Sequence, residues 1–79
     1  MTSERKENYV VILHLKRWRI HKGMLQEELA EATDLTQATI SRLENGGAAR
    51  LATVKVLAEA LGITREQLLH QQPEANLAA

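Results

Sequence analysis

The chain contains no cysteine. That excludes disulfides, thiolate metal sites and cysteine nucleophiles, and it fits a reducing compartment. No run of residues is long or apolar enough to span a bilayer. The N-terminal stretch MTSERKENYVVIL lacks the apolar core and small-residue cleavage site of a secretory signal. A cytoplasmic location is the expectation. The residues of catalysis are missing as a set. His14 and His21 can share a face and His70 is distant, but no Asp, Glu or Cys completes a metal-ligand group with them. No serine, histidine and acid stand in a recognisable nucleophile context, and there is no glycine-rich phosphate loop. No enzyme activity, cofactor or metal is expected. The chain has no internal repeat and no low-complexity segment.

Net charge is also missing. Ten basic and ten acidic side chains give a formal charge of zero, and the total alone weighs against a nucleic-acid binder. The distribution says more. Residues 5–22 hold Arg5, Lys6, Lys16, Arg17, Arg19 and Lys22 against Glu7 alone, while residues 26–34 hold Glu27, Glu28, Glu31 and Asp34 with no base. Segregation of this kind allows a local positive surface on a neutral molecule. With 79 residues, residues 1–79 are expected to form a single domain. A chain of this size buries only about 60% of the surface its unfolded form exposes, so its core is modest. The ordered core is expected over about residues 9–71, with flexible ends over 1–7 and 73–79.

Periodicity predicts helices throughout. The first runs from about Asn8 to Lys22, with Ile12, Leu15 and Arg19 at helical spacing, flanked by Val11 and Trp18. Gly23 ends it. The β-branched run Val10-Val11-Ile12 suits a strand, but a lone strand without a partner is unstable, so helix is the expectation. A second helix covers Gln26–Thr33, with Leu29 and Ala30 inward and Glu27, Glu28 and Glu31 toward water. Its N-cap, Leu25, offers no side-chain acceptor, at a cost on the order of 1 kcal/mol. After a turn at Asp34–Leu35, Thr36 caps a third helix over Gln37–Asn45 that buries Ile40 and Leu43. Gly46 and Gly47 break it. Val54, Leu57, Ala58 and Leu61 mark a fourth helix over Leu51–Leu61, poorly capped at its start and ended by Gly62. Thr64-Arg65-Glu66-Gln67 is a capping box that opens a short fifth helix, from Arg65 to about Gln71, burying Leu68.

Three segments then stand together: Lys22-Gly23-Met24-Leu25-Gln26-Glu27-Glu28-Leu29-Ala30, Thr36-Gln37-Ala38-Thr39-Ile40-Ser41-Arg42-Leu43-Glu44-Asn45-Gly46, and Ala58-Glu59-Ala60-Leu61-Gly62-Ile63. In this order and spacing they resemble the Cro/CI, or Xre-type, helix-turn-helix family over roughly residues 12–69. The resemblance implies an all-α, five-helix, lambda-repressor-like DNA-binding domain. It implies that residues 26–33 cross the DNA backbone and residues 37–44 enter the major groove. The residues themselves agree on the free face. With Ile40 and Leu43 inward, positions 37, 38, 41, 42 and 45 fall on the outer side. Gln37 has the chemistry to pair with adenine and Arg42 with guanine, Ala38 can touch a thymine methyl, and Ser41 suits several partners. The bland reading of the same face is an ordinary solvated helix surface. Gln26 matches the family's phosphate-contacting glutamine, Asn45 and the Gly46–Gly47 amides match a second backbone contact, and Thr36 or Thr39 adds a third. Arg50 lies near the expected DNA side and is a further phosphate candidate. Arg19 matches a position where the family often carries arginine, expected to pair with Glu44 as a structural element.

The sequence departs from the family pattern at Leu25, where Ser or Thr is usual, and before the fourth helix, where a proline and a Ser or Thr cap are missing. These departures leave the conformation near Ala48–Arg50 open. The expected function is a sequence-specific regulator of transcription that binds double-stranded DNA, as a repressor and as a homodimer on a near-palindromic operator. Val10, Leu13 and Ile20, read as a second apolar face of the first helix, are candidate contacts with a second subunit or with the C-terminal helix, with Leu69 and Leu77 as further contacts. An antitoxin-type protein or a pure protein-interaction module on the same fold are the rival readings.

Overall fold

The computed structural model describes residues 9–73. The ends expected to be flexible over 1–7 and 73–79 fall outside these residues, apart from Pro73, which is buried. In chain order the elements are β1 (Tyr9–Val11), α1 (Leu15–His21), α2 (Gln26–Thr33), α3 (Gln37–Glu44), β2 (Ala48–Arg50), α4 (Leu51–Leu61) and α5 (Arg65–His70). Helices α2 to α5 stand where periodicity places them, with α3 and α5 each one residue shorter at the C-terminal end, whereas α1 covers only the second half of the helix expected over Asn8–Lys22.

One expectation is overturned. Residues 9–11 are a strand and not the first turns of a helix, because they do have a partner: β1 pairs antiparallel with β2, Tyr9 opposite Arg50, Val10 opposite Ala49 and Val11 opposite Ala48. Alternation along the pair turns Val10 and Ala49 toward the core and leaves Tyr9, Val11 and Arg50 exposed. The ribbon also answers the question of how α4 starts. Its N-cap, Arg50, is extended and makes no side-chain cap bond. Strand pairing holds the backbone there in place of a proline or a hydroxyl cap.

The helices close around Ile12, Leu15, Leu29, Ile40, Leu43, Val54, Leu57 and Leu68, all essentially without solvent exposure. Trp18 ties α1 to the end of α5, its indole N–H donating to the carbonyls of Gln71 (2.9 Å) and Gln67 (3.3 Å). Two of the helix starts are closed by side chains as read from the sequence. The Thr36 hydroxyl accepts from the Thr39 N–H at 3.1 Å. Thr64 and Gln67 make both halves of their capping box. At α2 the missing cap is half replaced. Leu25 has no acceptor to offer, but the Glu28 carboxylate accepts the Leu25 N–H at 2.8 Å. The α2–α3 turn needs a left-handed residue, supplied by Asp34 at φ 62°. Aspartate is one of the few non-glycine residues that visits this region readily. The Leu35 N–H then bonds the Ala30 carbonyl at 3.0 Å, and Leu35 packs on the core.

Candidate nucleic-acid interface

Helix α3 is held by two buried residues, Ile40 and Leu43. Each contributes roughly 1.5–3 kcal/mol by leaving water. Their spacing commits one face to the core and leaves the opposite face to solvent. Gln37, Ala38, Arg42 and Asn45 are exposed there and Ser41 is half-buried.

Behind this face runs a chain of polar contacts that starts in the core. Arg19 and Glu44 form a two-pronged ion pair, Nε to Oε2 at 2.5 Å and Nη2 to Oε1 at 3.2 Å. Only 10% of the arginine side chain and 3% of the glutamate side chain reach solvent. The third nitrogen, Nη1, donates to the Met24 carbonyl at 2.8 Å. Glu44 Oε1 also accepts from Gln26 Nε2 at 3.0 Å. Gln26 Oε1 in turn accepts from Gln37 Nε2 at 3.3 Å. Glu44 therefore orients the amide of Gln26, and the longer, exposed contact from Gln37 adds a weaker tie. Gln37 is left with a free carbonyl oxygen and one amide proton, the pattern that matches the N6 and N7 edge of adenine.

The other expected residues fall into two groups. Thr36 and Thr39 are brought together by the cap, with the Thr36 hydroxyl donating to Thr39 Oγ1 at 2.9 Å. Asn45 Nδ2 folds back to the Ser41 carbonyl at 2.9 Å, and both Asn45 and Gly46 are exposed. Arg42 is exposed but does not stand straight out: its Nη1 reaches the Ala48 carbonyl at 3.4 Å. That contact is long and weak and releases the guanidinium at little cost. The path of the side chain depends on Gly47. A Cβ there would lie 2.7 Å from Arg42 Nη1 and 2.9 Å from the Arg42 carbonyl oxygen. Arg50 stands on β2 with its Nε on the Tyr9 hydroxyl.

Sequence pattern leaves Glu44 outside the site as a structural partner of Arg19. The pair is present, but Glu44 also orients Gln26 and through it Gln37, and no local motif announces that second role. Tyr9 attracts no notice in the sequence, because its neighbour Arg50 is 41 residues away. Two candidate dimer contacts change status. Val10 and Leu69 pack against the core, and the helical face expected to join Val10, Leu13 and Ile20 does not exist, since Val10 is on β1 and Leu13 in the turn after it. Leu13 and Ile20 remain open to solvent, at 75% and 57% exposure. Leu77 lies outside the described residues.

Five helices among the described residues, the second and third joined by a tight turn and the latter with a free polar face, define a helix-turn-helix domain of the kind that reads DNA. A helix-turn-helix family model matches residues 15–68. The chain is also similar to a solved structure described as a hypothetical transcription factor, NHTF, from Neisseria. The identity is 32%, the match covers 81% of this chain and 74% of that one, and the TM-score is 0.67. The chain belongs to the Cro/CI, Xre-type helix-turn-helix family. It is a DNA-binding regulator of transcription and not an enzyme. Among the described residues, no helix is long and apolar enough to cross a membrane.

Proposed function

We propose that the protein is a sequence-specific transcriptional repressor that places α3 in the major groove of duplex DNA. Gln37 and Arg42 read base edges as the principal contacts, with Ser41 and Ala38 beside them. Gln26, Thr36, Thr39, Asn45, Gly46 and Arg50 hold the phosphate backbone on either side. The observation that carries this reading is the relay from Arg19 through Glu44 and Gln26 to Gln37. A solvated helix face has no use for a buried ion pair that fixes the amide of one surface glutamine. Repression is favoured over activation because occupancy alone blocks a promoter, whereas activation needs a particular polymerase contact.

One recognition helix reads few base pairs. The protein therefore acts as a homodimer, formed in solution or on DNA, with its two α3 helices about 34 Å apart on a near-palindromic operator. Leu13 and Ile20 are exposed apolar residues that serve that contact. The site of action is the cytoplasm. Selection from a pool of randomised duplexes tests the reading. It is expected to return two related half-sites at about one helical turn. An Arg42→Ala change relaxes the preference at one position of each half-site. Loss of affinity that is uniform over all base variants refutes Arg42 as a base reader, and failure to enrich any duplex refutes the reading as a whole.

A further inference from the structure

The β1–β2 ribbon places Tyr9 directly opposite Arg50, and the two side chains engage. Arg50 Nε donates to the Tyr9 hydroxyl oxygen at 3.0 Å. The guanidinium carbon stands 5.7 Å from the centre of the tyrosine ring, within cation–π range. Both residues are exposed, Tyr9 at 49%. A surface arginine ordinarily samples many rotamers and loses that freedom when it binds. Here the ring and the hydroxyl restrict it beforehand. Among the described residues the Arg50 Nη donors meet no acceptor, and the tyrosine hydroxyl, which accepts from Arg50, still has its own proton to donate.

Location completes the observation. Tyr9, Ala48 and Arg50 line one surface groove together with Leu35, Thr39 and Arg42, at and beside the recognition helix. The pair flanks α3 without standing on its base-reading face. A group that offers only N–H and O–H donors, one of them permanently cationic, is matched to phosphate oxygens and not to base edges of mixed pattern.

We propose that Tyr9 and Arg50 form a preassembled phosphate clamp, and that Tyr9 is the positioning residue that orients Arg50 for it. With α3 in the major groove, the ribbon lies over the bounding sugar-phosphate backbone. The Arg50 Nη groups then hold one phosphate while the Tyr9 hydroxyl keeps the guanidinium in place. The inference rests on the DNA-binding reading and adds to it a strand that periodicity does not reveal. It matters more on a chain of zero formal charge, where few cations are available to neutralise phosphates and each must be well placed.

The test measures binding of the full chain to its selected duplex by fluorescence anisotropy over a series of salt concentrations. The variants are Tyr9→Phe, Arg50→Ala, Arg50→Lys and the combinations of Tyr9→Phe with each, with circular dichroism confirming the fold. Arg50→Ala is expected to weaken binding about five- to tenfold, equally on base-substituted duplexes, and to lower the slope of log K against log salt by about 1. Tyr9→Phe keeps the ring and removes the hydroxyl, and weakens binding about threefold. The same change has no further effect in the Arg50→Ala background. Arg50→Lys keeps the salt slope but becomes indifferent to Tyr9→Phe, because lysine has no Nε–H to be oriented. An equal Tyr9→Phe effect in all backgrounds, or an unchanged salt slope in Arg50→Ala, overturns the clamp. Gln37→Ala separates the two levels. If it weakens binding while Tyr9 and Arg50 variants do not, the clamp fails and the DNA reading stands. If the wild-type chain binds no duplex, both fail.

Discussion

Glu44→Ala removes one side chain and disturbs both the core and the DNA face. Arg19 is left with a side chain that is 90% shielded and has lost both carboxylate contacts, keeping among the described residues the Met24 carbonyl. Breaking a buried pair from one side costs about 3–5 kcal/mol. The surviving carbonyl bond argues for the lower end, about 3 kcal/mol. In a domain of this size that lowers Tm by roughly 12–24 °C. It is a large part of a total stability of about 5–15 kcal/mol. Urea denaturation followed by circular dichroism reads the loss directly. A destabilisation below about 1 kcal/mol would mean that Arg19 and Glu44 behave as a screened surface pair, and the reasoning fails.

The same change loosens Gln26, which loses its acceptor at 3.0 Å, and through it Gln37. The two effects are separable. Arg19→Met combined with Glu44→Leu removes both charges and fills the space with apolar atoms. Such replacements are often neutral or stabilising, so stability is expected to return to within about 1 kcal/mol of the parent. DNA affinity is not expected to return, because Gln26 Nε2 still lacks the Glu44 acceptor. The remaining deficit is on the order of 1 kcal/mol, about fivefold in Kd. Anisotropy on the selected operator measures it. If the double variant recovers both stability and affinity, Glu44 does not act on the recognition helix through Gln26.

Further outcomes follow from other contacts. Gly47→Ala puts a methyl 2.7 Å from Arg42 Nη1 and 2.9 Å from the Arg42 carbonyl, so discrimination at the base position read by Arg42 is expected to weaken while Gln37-dependent discrimination persists. Binding to single-base operator variants distinguishes the two. Trp18→Phe deletes the indole N–H that serves the Gln67 and Gln71 carbonyls. A loss of about 1–2 kcal/mol in urea, read by circular dichroism with an unchanged m value, is the expected result. Leu13→Lys with Ile20→Lys touches only exposed positions and is expected to leave the fold intact while abolishing self-association in sedimentation velocity. A wild-type chain that stays monomeric at high concentration and on its operator rules out the dimer contact.

The contacts that sequence pattern reveals are the local ones. Helix α4 is carried by apolar residues three and four apart and α3 by Ile40 and Leu43, while Thr36 and Thr64 announce their caps within the same turn. The Arg19–Glu44 pair is legible only through the family resemblance, because nothing in the spacing joins residues 25 apart. Gln26 is recognisable as a candidate phosphate contact, yet its bonds to Glu44 and Gln37 come from the way α2 and α3 cross. The Glu28 half-cap was within reach of sequence: a glutamate three residues after a helix start is half of a capping box even when the cap residue is leucine.

The ribbon was out of reach for a different physical reason. Tyr9-Val10-Val11 has strand character, but its partner is Ala48-Ala49-Arg50, a segment of low strand propensity. Pairing is decided there by where the helices leave the two ends of chain, and not by the preference of residues 48–50. With Val10 and Ala49 turned to the core, apolar packing on one face supports a pair of strands too short to persist alone. The same pairing fixes the backbone that enters α4, where proline and a hydroxyl cap are both missing. The departures from the family pattern near Ala48–Arg50 and the misread start of the chain are thus one feature. The N-terminal strand replaces the missing cap, and in doing so it carries Tyr9 to the side of the recognition helix.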